Sequence, residues 1–482
     1  MKINLADPTL FGNEVAEDEN DEIFLSYAVD RHEITRFIND YEKIAIIRAD
    51  KGQGKSALLK LLRLRIIEQD TKTILINTTA AAITPEIDSE DSDKWVQGWK
   101  KTIFHQAACT IGSKINLAFS DDAMSLVEEA EKNGFKSRSF FSSIVDRIKI
   151  KSSPIEHDRI GASSAEELLK RWNIKAGNIW FIIDDTDQNF VNTPRERVKV
   201  ASLFTAIRQI SNLVPEFKFR LAVRPYIWSI IKRKFESLSH NEQYMADIDW
   251  KREDFSTILS KRIQGYLERT DQWDQYIKKI RTTRVNVSND LIQLVFEVPM
   301  PWGIDTTRNP SLVLWTLSRH RPRWLIELCR KAAAKSIQNS HSKIMFNDIN
   351  SELYSFGKRR IEDTIAEYNV QCPNLEELLT AFSQEPERFK TEHLLKIIQN
   401  KVLSHMHLKI EGILGTPSAI EVAHFLFQIG FITARKDDDK QNYEHFSYED
   451  KPSLLSSRAN LDQGHTWEIH PVFRQILSLK NA

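Results

Sequence analysis

The sequence predicts an α/β protein built on a parallel sheet, and three observations carry that reading. Five short runs rich in β-branched and aromatic residues alternate with segments of helical spacing. The first run leads straight into Gly52-x-Gly54-Lys55-Ser56. The third ends in two adjacent carboxylates, Asp184 and Asp185.

The five runs are "KIAIIRA" (43–49), "KTILINTT" (72–79), "NIWFIIDD" (178–185), "FKFRLAVR" (217–224) and "ADIDW" (246–250). Their near-continuous apolar character is that of strands covered on both faces. Leu58, Leu61, Leu62 and Ile66 give helical spacing after the glycine loop. Thr193 with Glu196 forms a capping box, and Pro194 takes the first helical position of "RERVKVASLFTAIRQISNLV". The long passage between the second and third strands, residues 80–177, holds "KWVQGWKKTIFHQAACTI" and "SAEELLKRW" and reads as a helical insertion.

Beyond the sheet the pattern is helical. The expected order is an N-terminal segment packing on the core (1–40), the sheet core (41–250), a helical lid (251–345) and a helical connector (346–403). A winged-helix-like domain (404–482) closes the chain, read from the helix "SAIEVAHFLFQIGF" and the runs "NYEHFSYED" and "TWEIHPVFRQIL".

Composition narrows the classes. Lys plus Arg number 67 and Asp plus Glu 67, so the chain is neither a globally basic nucleic-acid coat nor an acidic tail protein. Three widely spaced cysteines, Cys109, Cys329 and Cys372, form no disulfide framework or zinc pattern. No run approaches the roughly 18 apolar residues of a membrane span, and the start lacks a signal-peptide pattern. A cytoplasmic protein without a membrane partner is the expectation. Glycine is scarce, 15 in all, so Gly52 and Gly54 two positions apart are informative.

Between a strand and a helix, Gly-x-Gly-Lys-Ser is the end of a phosphate-binding loop, G-x-x-x-x-G-K-S/T, with Ala49 where the first glycine belongs. In such a loop the backbone N–H groups wrap phosphates at a helix N-terminus. Lys51, Gly52, Gln53, Gly54, Lys55, Ser56 and Ala57 are therefore the candidate nucleotide-binding residues. Lys55 would neutralise the terminal phosphates and the Ser56 hydroxyl would ligate Mg²⁺. "IWFIIDD" is the matching Walker B strand: Asp184 would hold the Mg²⁺ and Asp185 would polarise the attacking water. Asp187 is expected to cap the following turn. Arg224, ending the fourth strand, is placed to reach a γ-phosphate. In "SRHRPRWLIELCRKAAAK", Arg323, and after it Arg321, could lean over the nucleotide from a lid helix. ATP and Mg²⁺ are the implied cofactors.

This order of motifs, with "DIDWKREDFSTILSKRI" and "RPRWL" after Arg224, resembles prokaryotic P-loop ATPases of the AAA+/STAND kind. The opening "FGNEVAEDENDEIFLSYAV" is similar to the start of a bacterial branch of them. The resemblance implies a P-loop NTPase core with lid and winged helix, homo-oligomer formation, and a switch that controls a separate effector protein in bacterial signalling or antiphage defence. The alternative is an origin-recognition-type DNA-binding ATPase. Residues 404–482 hold 8 Lys/Arg against 10 Asp/Glu, unlike a DNA clamp. Residues 132–151 hold six basic residues against one acidic, which makes the insertion the expected route to any nucleic acid. Arg233 is a candidate trans-acting arginine.

Overall fold

The computed structural model describes residues 3–69, 73–113, 178–188, 190–280, 287–303, 306–437 and 443–480. Two compact units make up the chain: Asp30–Asp249, and Met1–Val29 together with Trp250–Ala482.

The first unit is organised by five parallel strands: β1 (Ile44–Arg48), β2 (Ile74–Thr79), β3 (Ile179–Asp184), β4 (Phe217–Val223) and β5 (Met245–Asp247). Their order is β2-β3-β4-β1-β5. The fifth strand begins one residue before the expected run and stops at Asp247, where its partner β1 stops at Arg48. Strand periodicity assigns the faces. Ile44, Ile46, Phe181, Ile183, Phe219 and Leu221 share one core with Trp95, Trp99, Phe104 and Phe204. Those last four come from the helices Ser92–Ser113 and Pro194–Leu213, which pack on each other. The start of the expected insertion is thus a layer of the core, because Trp95, Trp99, Ile103 and Ala107 recur every four residues and are buried. The rest of the insertion, with "SAEELLKRW" and the basic stretch 132–151, lies outside the described residues. Thr193 caps Pro194–Leu213, its hydroxyl accepting from Glu196 N–H at 3.3 Å, but the reciprocal half of the expected capping box is not seen among the described residues: the Glu196 carboxylate lies on Lys199.

Residues of opposite parity, such as Ala45, Ile47, Ile182 and Ala222, face the other way. The helix Lys55–Gln69 packs on β2, β3 and β4 and buries Leu58, Leu61, Leu62 and Ile66. One charge breaks the apolar pattern. Arg220 on β4 is fully buried and donates to the carbonyls of Phe37 (2.5 Å), Phe219 (2.9 Å) and Asn39 (2.9 Å). Its guanidinium also lies 4.5 Å over the Trp180 ring. Burial pushes its pKa down to about 9, so it remains a cation at neutral pH. It ties the end of the helix His32–Ile38 to the sheet.

The second unit is a helical body with a small antiparallel sheet. Its core joins Leu10 and Phe11 to Leu259, Ile263 and Phe296, and runs on to Phe425, Ile432 and Trp467. The N-terminal segment, expected as one piece on the sheet core, divides at Val29. The physical reason is a row of cations on the helix Arg252–Arg269. Lys261 donates to Ala28 O (2.6 Å), Arg269 to Thr9 O (2.8 Å), and buried Arg262 donates to Phe11 O and stacks 3.7 Å over Tyr27.

The terminal sheet has the order Tyr443–Phe446, Ile432–Asp437, Thr466–Ile469, Arg388–Phe389. With the helix Ala419–Gln428 before it, capped by Ser418 and Glu421, it is a small antiparallel sheet like that of a winged helix. Two features depart from the sequence reading. The central strand is Ile432–Asp437, between the two expected runs, and residues 388–389 from the expected connector supply an edge. All three cysteines are buried thiols. Among the described residues no helix is long and apolar enough to cross a membrane.

Candidate nucleotide-binding site

Because β3, β4 and β1 run parallel and adjacent, their C-terminal ends share one edge of the sheet. The glycine loop leaves β1 there, Asp184 and Asp185 end β3 there, and Arg224 follows β4 there. That edge is where open α/β sheets take their ligands.

The loop runs from Ala49 to Gly54 and opens the 15-residue helix Lys55–Gln69. Gly52 (φ 83°) and Gly54 (φ 90°) occupy the left-handed region, which explains glycine at both. Ala49 does not have a positive φ and is buried at 1% exposure, so a small L-residue fits where the pattern asks for glycine. Its N–H donates to Val223 O at 3.2 Å, continuing the sheet. Gln53 braces the turn: its side-chain oxygen accepts from Asp50 N–H at 2.7 Å, and its own N–H donates to Asp50 O at 3.3 Å. The Lys55 ammonium folds back over the loop onto Ala49 O (2.7 Å) and Asp50 O (3.1 Å). The first turn of the helix carries no acidic residue. Lys51, Gly52, Gln53, Gly54, Lys55, Ser56 and Ala57 are all partly exposed, as residues that meet a ligand must be. The arrangement fits a polyphosphate: helix-end N–H groups, positive dipole and the Lys55 ammonium over the loop.

At the end of β3, Asp184 is partly exposed and its Oδ1 accepts from Asp185 N–H at 2.8 Å. Asp185 is exposed and left-handed (φ 52°), a conformation that aspartate tolerates better than most side chains. Ser56 and Asp184 are the hydroxyl and carboxylate that could hold a hydrated Mg²⁺.

Asp187 closes the following turn through its carbonyl, which accepts from Phe190 N–H at 3.3 Å, and its side chain reaches β4. Its carboxylate is buried; one oxygen accepts from the backbone N–H of Arg224 at 2.6 Å, and the other lies 3.7 Å from Arg224 Nε. Thr186, also buried, donates to Ala222 O at 2.5 Å. Sequence reasoning missed both roles; the only signal was a third carboxylate following the Walker B pair.

The remaining arginines separate by environment. Arg321, in the second unit, is buried and ion-paired with buried Glu367 at 2.7 Å, and it lies 4.8 Å over the Trp324 ring. Arg319, two residues earlier, is partly buried and donates to Ile429 O. The ion pair makes Arg321 a structural cation of that unit. Arg323, one residue into the helix Pro322–Gln338, is partly exposed and has no hydrogen bond or ion pair among the described residues. Arg233 is exposed on the helix Pro225–Lys234.

No protein-family model matches the chain, and no curated protein matches it. Among solved structures it is similar to the Aeropyrum pernix ORC2 protein in ADPNP–ADP complexes, with 12% identity, 98% of each chain covered and a TM-score of 0.44. The ADP form of that protein gives 12% identity, 98% of this chain, 96% of that chain and a TM-score of 0.33. Drosophila ORC bound to DNA gives 10%, 91%, 90% and 0.34. At these identities and scores the likeness carries no argument about activity.

Proposed function

We propose that the chain binds and hydrolyses ATP and uses the nucleotide state as a switch. The observation that supports this is the meeting of three groups at one sheet edge: the Lys55 loop, the Asp184–Asp185 pair and Arg224. The backbone of residues 52–57 would wrap the phosphates, and Lys55 would exchange its two loop carbonyls for phosphate oxygens. Ser56 and Asp184 would hold Mg²⁺, which would offset charge on the phosphates. Asp185 would orient the attacking water, and Arg224 would stabilise charge on the γ-phosphate. Arg323 is the better lid candidate, since Arg321 is already held by Glu367.

For the biological role, two readings differ in their support. Control of a separate effector in bacterial defence rests on the sequence resemblance alone. The origin-recognition-type reading gives a role to the basic stretch 132–151, six Lys/Arg against one Asp/Glu, which the effector-switch reading leaves unused. We therefore favour an ATP-dependent, DNA-binding ATPase over the defence switch.

The test is ATP turnover by the purified chain, together with duplex DNA binding across a salt series. Neutralising Lys136, Arg138, Arg147, Lys149 and Lys151 together is expected to weaken DNA binding and flatten its salt dependence. No DNA binding at low salt, with ATP turnover intact, would return the effector-switch reading to first place. No turnover at all would contradict the ATPase reading.

A further inference from the structure

We infer that Asp187 is the positioning residue for Arg224, and that through this contact the chain distinguishes ATP from ADP. The inference rests on the reading of Arg224 as the γ-phosphate contact.

Backbone pairing between β3 and β4 ends at Ile183 and Leu221. Beyond that point β4 stays paired with β1 as far as Val223, and on the β3 side its last groups meet the turn after β3. Thr186 donates to Ala222 O, Ala49 N–H donates to Val223 O at 3.2 Å, and Asp187 accepts from Arg224 N–H at 2.6 Å. Three consecutive residues of one strand end are thus gripped by the Walker B turn and the phosphate loop. Nucleotide-dependent movement of either has a direct mechanical route to Arg224.

Asp187 does more than satisfy a backbone donor. Its carboxylate, 4% exposed, would be costly to bury as an anion without a cation beside it. The guanidinium supplies that charge, approaching through its Nε edge at 3.7 Å while Nη1 reaches the Tyr226 hydroxyl at 3.5 Å. With its Nε edge beside Asp187 and Nη1 beside Tyr226, the guanidinium is oriented from two sides, and a phosphate oxygen would compete for it as another charge-assisted acceptor. The Arg224 side chain is 22% exposed, so the guanidinium lies at the protein surface of the sheet edge rather than inside the core. Asp187 therefore aims the arginine without touching the substrate.

The experiment compares affinities for ADP and a non-hydrolysable ATP analogue, with Mg²⁺, by calorimetry on the full chain. Asp187→Asn keeps an oxygen for the Arg224 N–H and removes the charge that orients the guanidinium. Its preference for the ATP analogue over ADP is expected to fall about tenfold, the worth of one charge-assisted hydrogen bond. ADP affinity should stay unchanged. Arg224→Ala should lose at least as much preference, and adding Asp187→Asn to it should cost nothing further. Asp187→Ser, smaller but still an acceptor, provides the same test if the amide disturbs folding. An unaltered preference in Asp187→Asn, an equal weakening of both nucleotides, or additive losses in the double variant would overturn the inference. Arg224→Ala with normal preference would remove the arginine reading and this inference with it. Normal nucleotide binding by Lys55→Ala would instead remove the whole site reading.

Discussion

The Lys55 ammonium lies 2.7 Å from the carbonyl oxygen of Ala49, the residue that stands where the loop pattern asks for glycine. Loop and lysine are therefore preassembled around the substitution. Because Ala49 has no positive φ, glycine there would add only freedom in the unfolded chain. Ala49→Gly is expected to leave ATP affinity within about twofold and to lower stability by about 0.5–1 kcal/mol. Chemical denaturation and calorimetry check both. A large gain in affinity would mean that the alanine compromises the site.

Asp185→Asn should bind ATP normally and hydrolyse it slowly, by a factor of about 100 or more. The amide tolerates the left-handed backbone at this position, so the fold should be kept. A normal rate in a phosphate-release assay would show that another group orients the water.

The five strands and their helices were legible because each is an apolar run at a clear period, and the glycine loop because so few residues fit its backbone. The Asp187–Arg224 contact was not, since it joins residues 37 apart through a side chain and one N–H. Nor was the buried Arg220, whose partners are carbonyls that carry no residue identity. The division at Val29 depends on cations of a helix more than 200 residues away in sequence. The physical ground for placing Arg323 ahead of Arg321 is Glu367, 46 positions after Arg321, which no local pattern reveals.

Arg323→Ala should retain ATP binding and lose any ATP-dependent change in oligomeric state. A ligand shifts a two-state equilibrium only by its differential affinity, and one charge-assisted contact is worth about 1.5–3 kcal/mol. Light scattering with ADP and with a non-hydrolysable ATP analogue reads this. An unchanged response in the variant would exclude Arg323 as the coupling residue.

The second unit should weaken on acidification. Burial, and after it the charges of Arg435, Arg474 and Arg388, push the His445 pKa down to about 3, against an ordinary value of 6.5. Its neutral ring bonds Glu468 at 2.8 Å. Between the two values the unfolded chain binds more protons, so stability rises with pH there and is lost as pH falls below about 6.5. The loss from this group alone reaches roughly 2 kcal/mol at pH 5. His445→Gln should flatten the decline in melting temperature between pH 7 and 5; an identical slope in both proteins would place the effect elsewhere.

The central claim is that the loop at the end of β1 binds ATP through Lys55, and direct calorimetric titration of Lys55→Ala tests it most directly. The variant removes the ammonium that the loop holds on the Ala49 and Asp50 carbonyls, in a part-buried setting. The protein should fold with unchanged circular dichroism and show no measurable heat of ATP binding where the parent saturates. ATP affinity equal to the parent's in a folded Lys55→Ala protein would contradict the account.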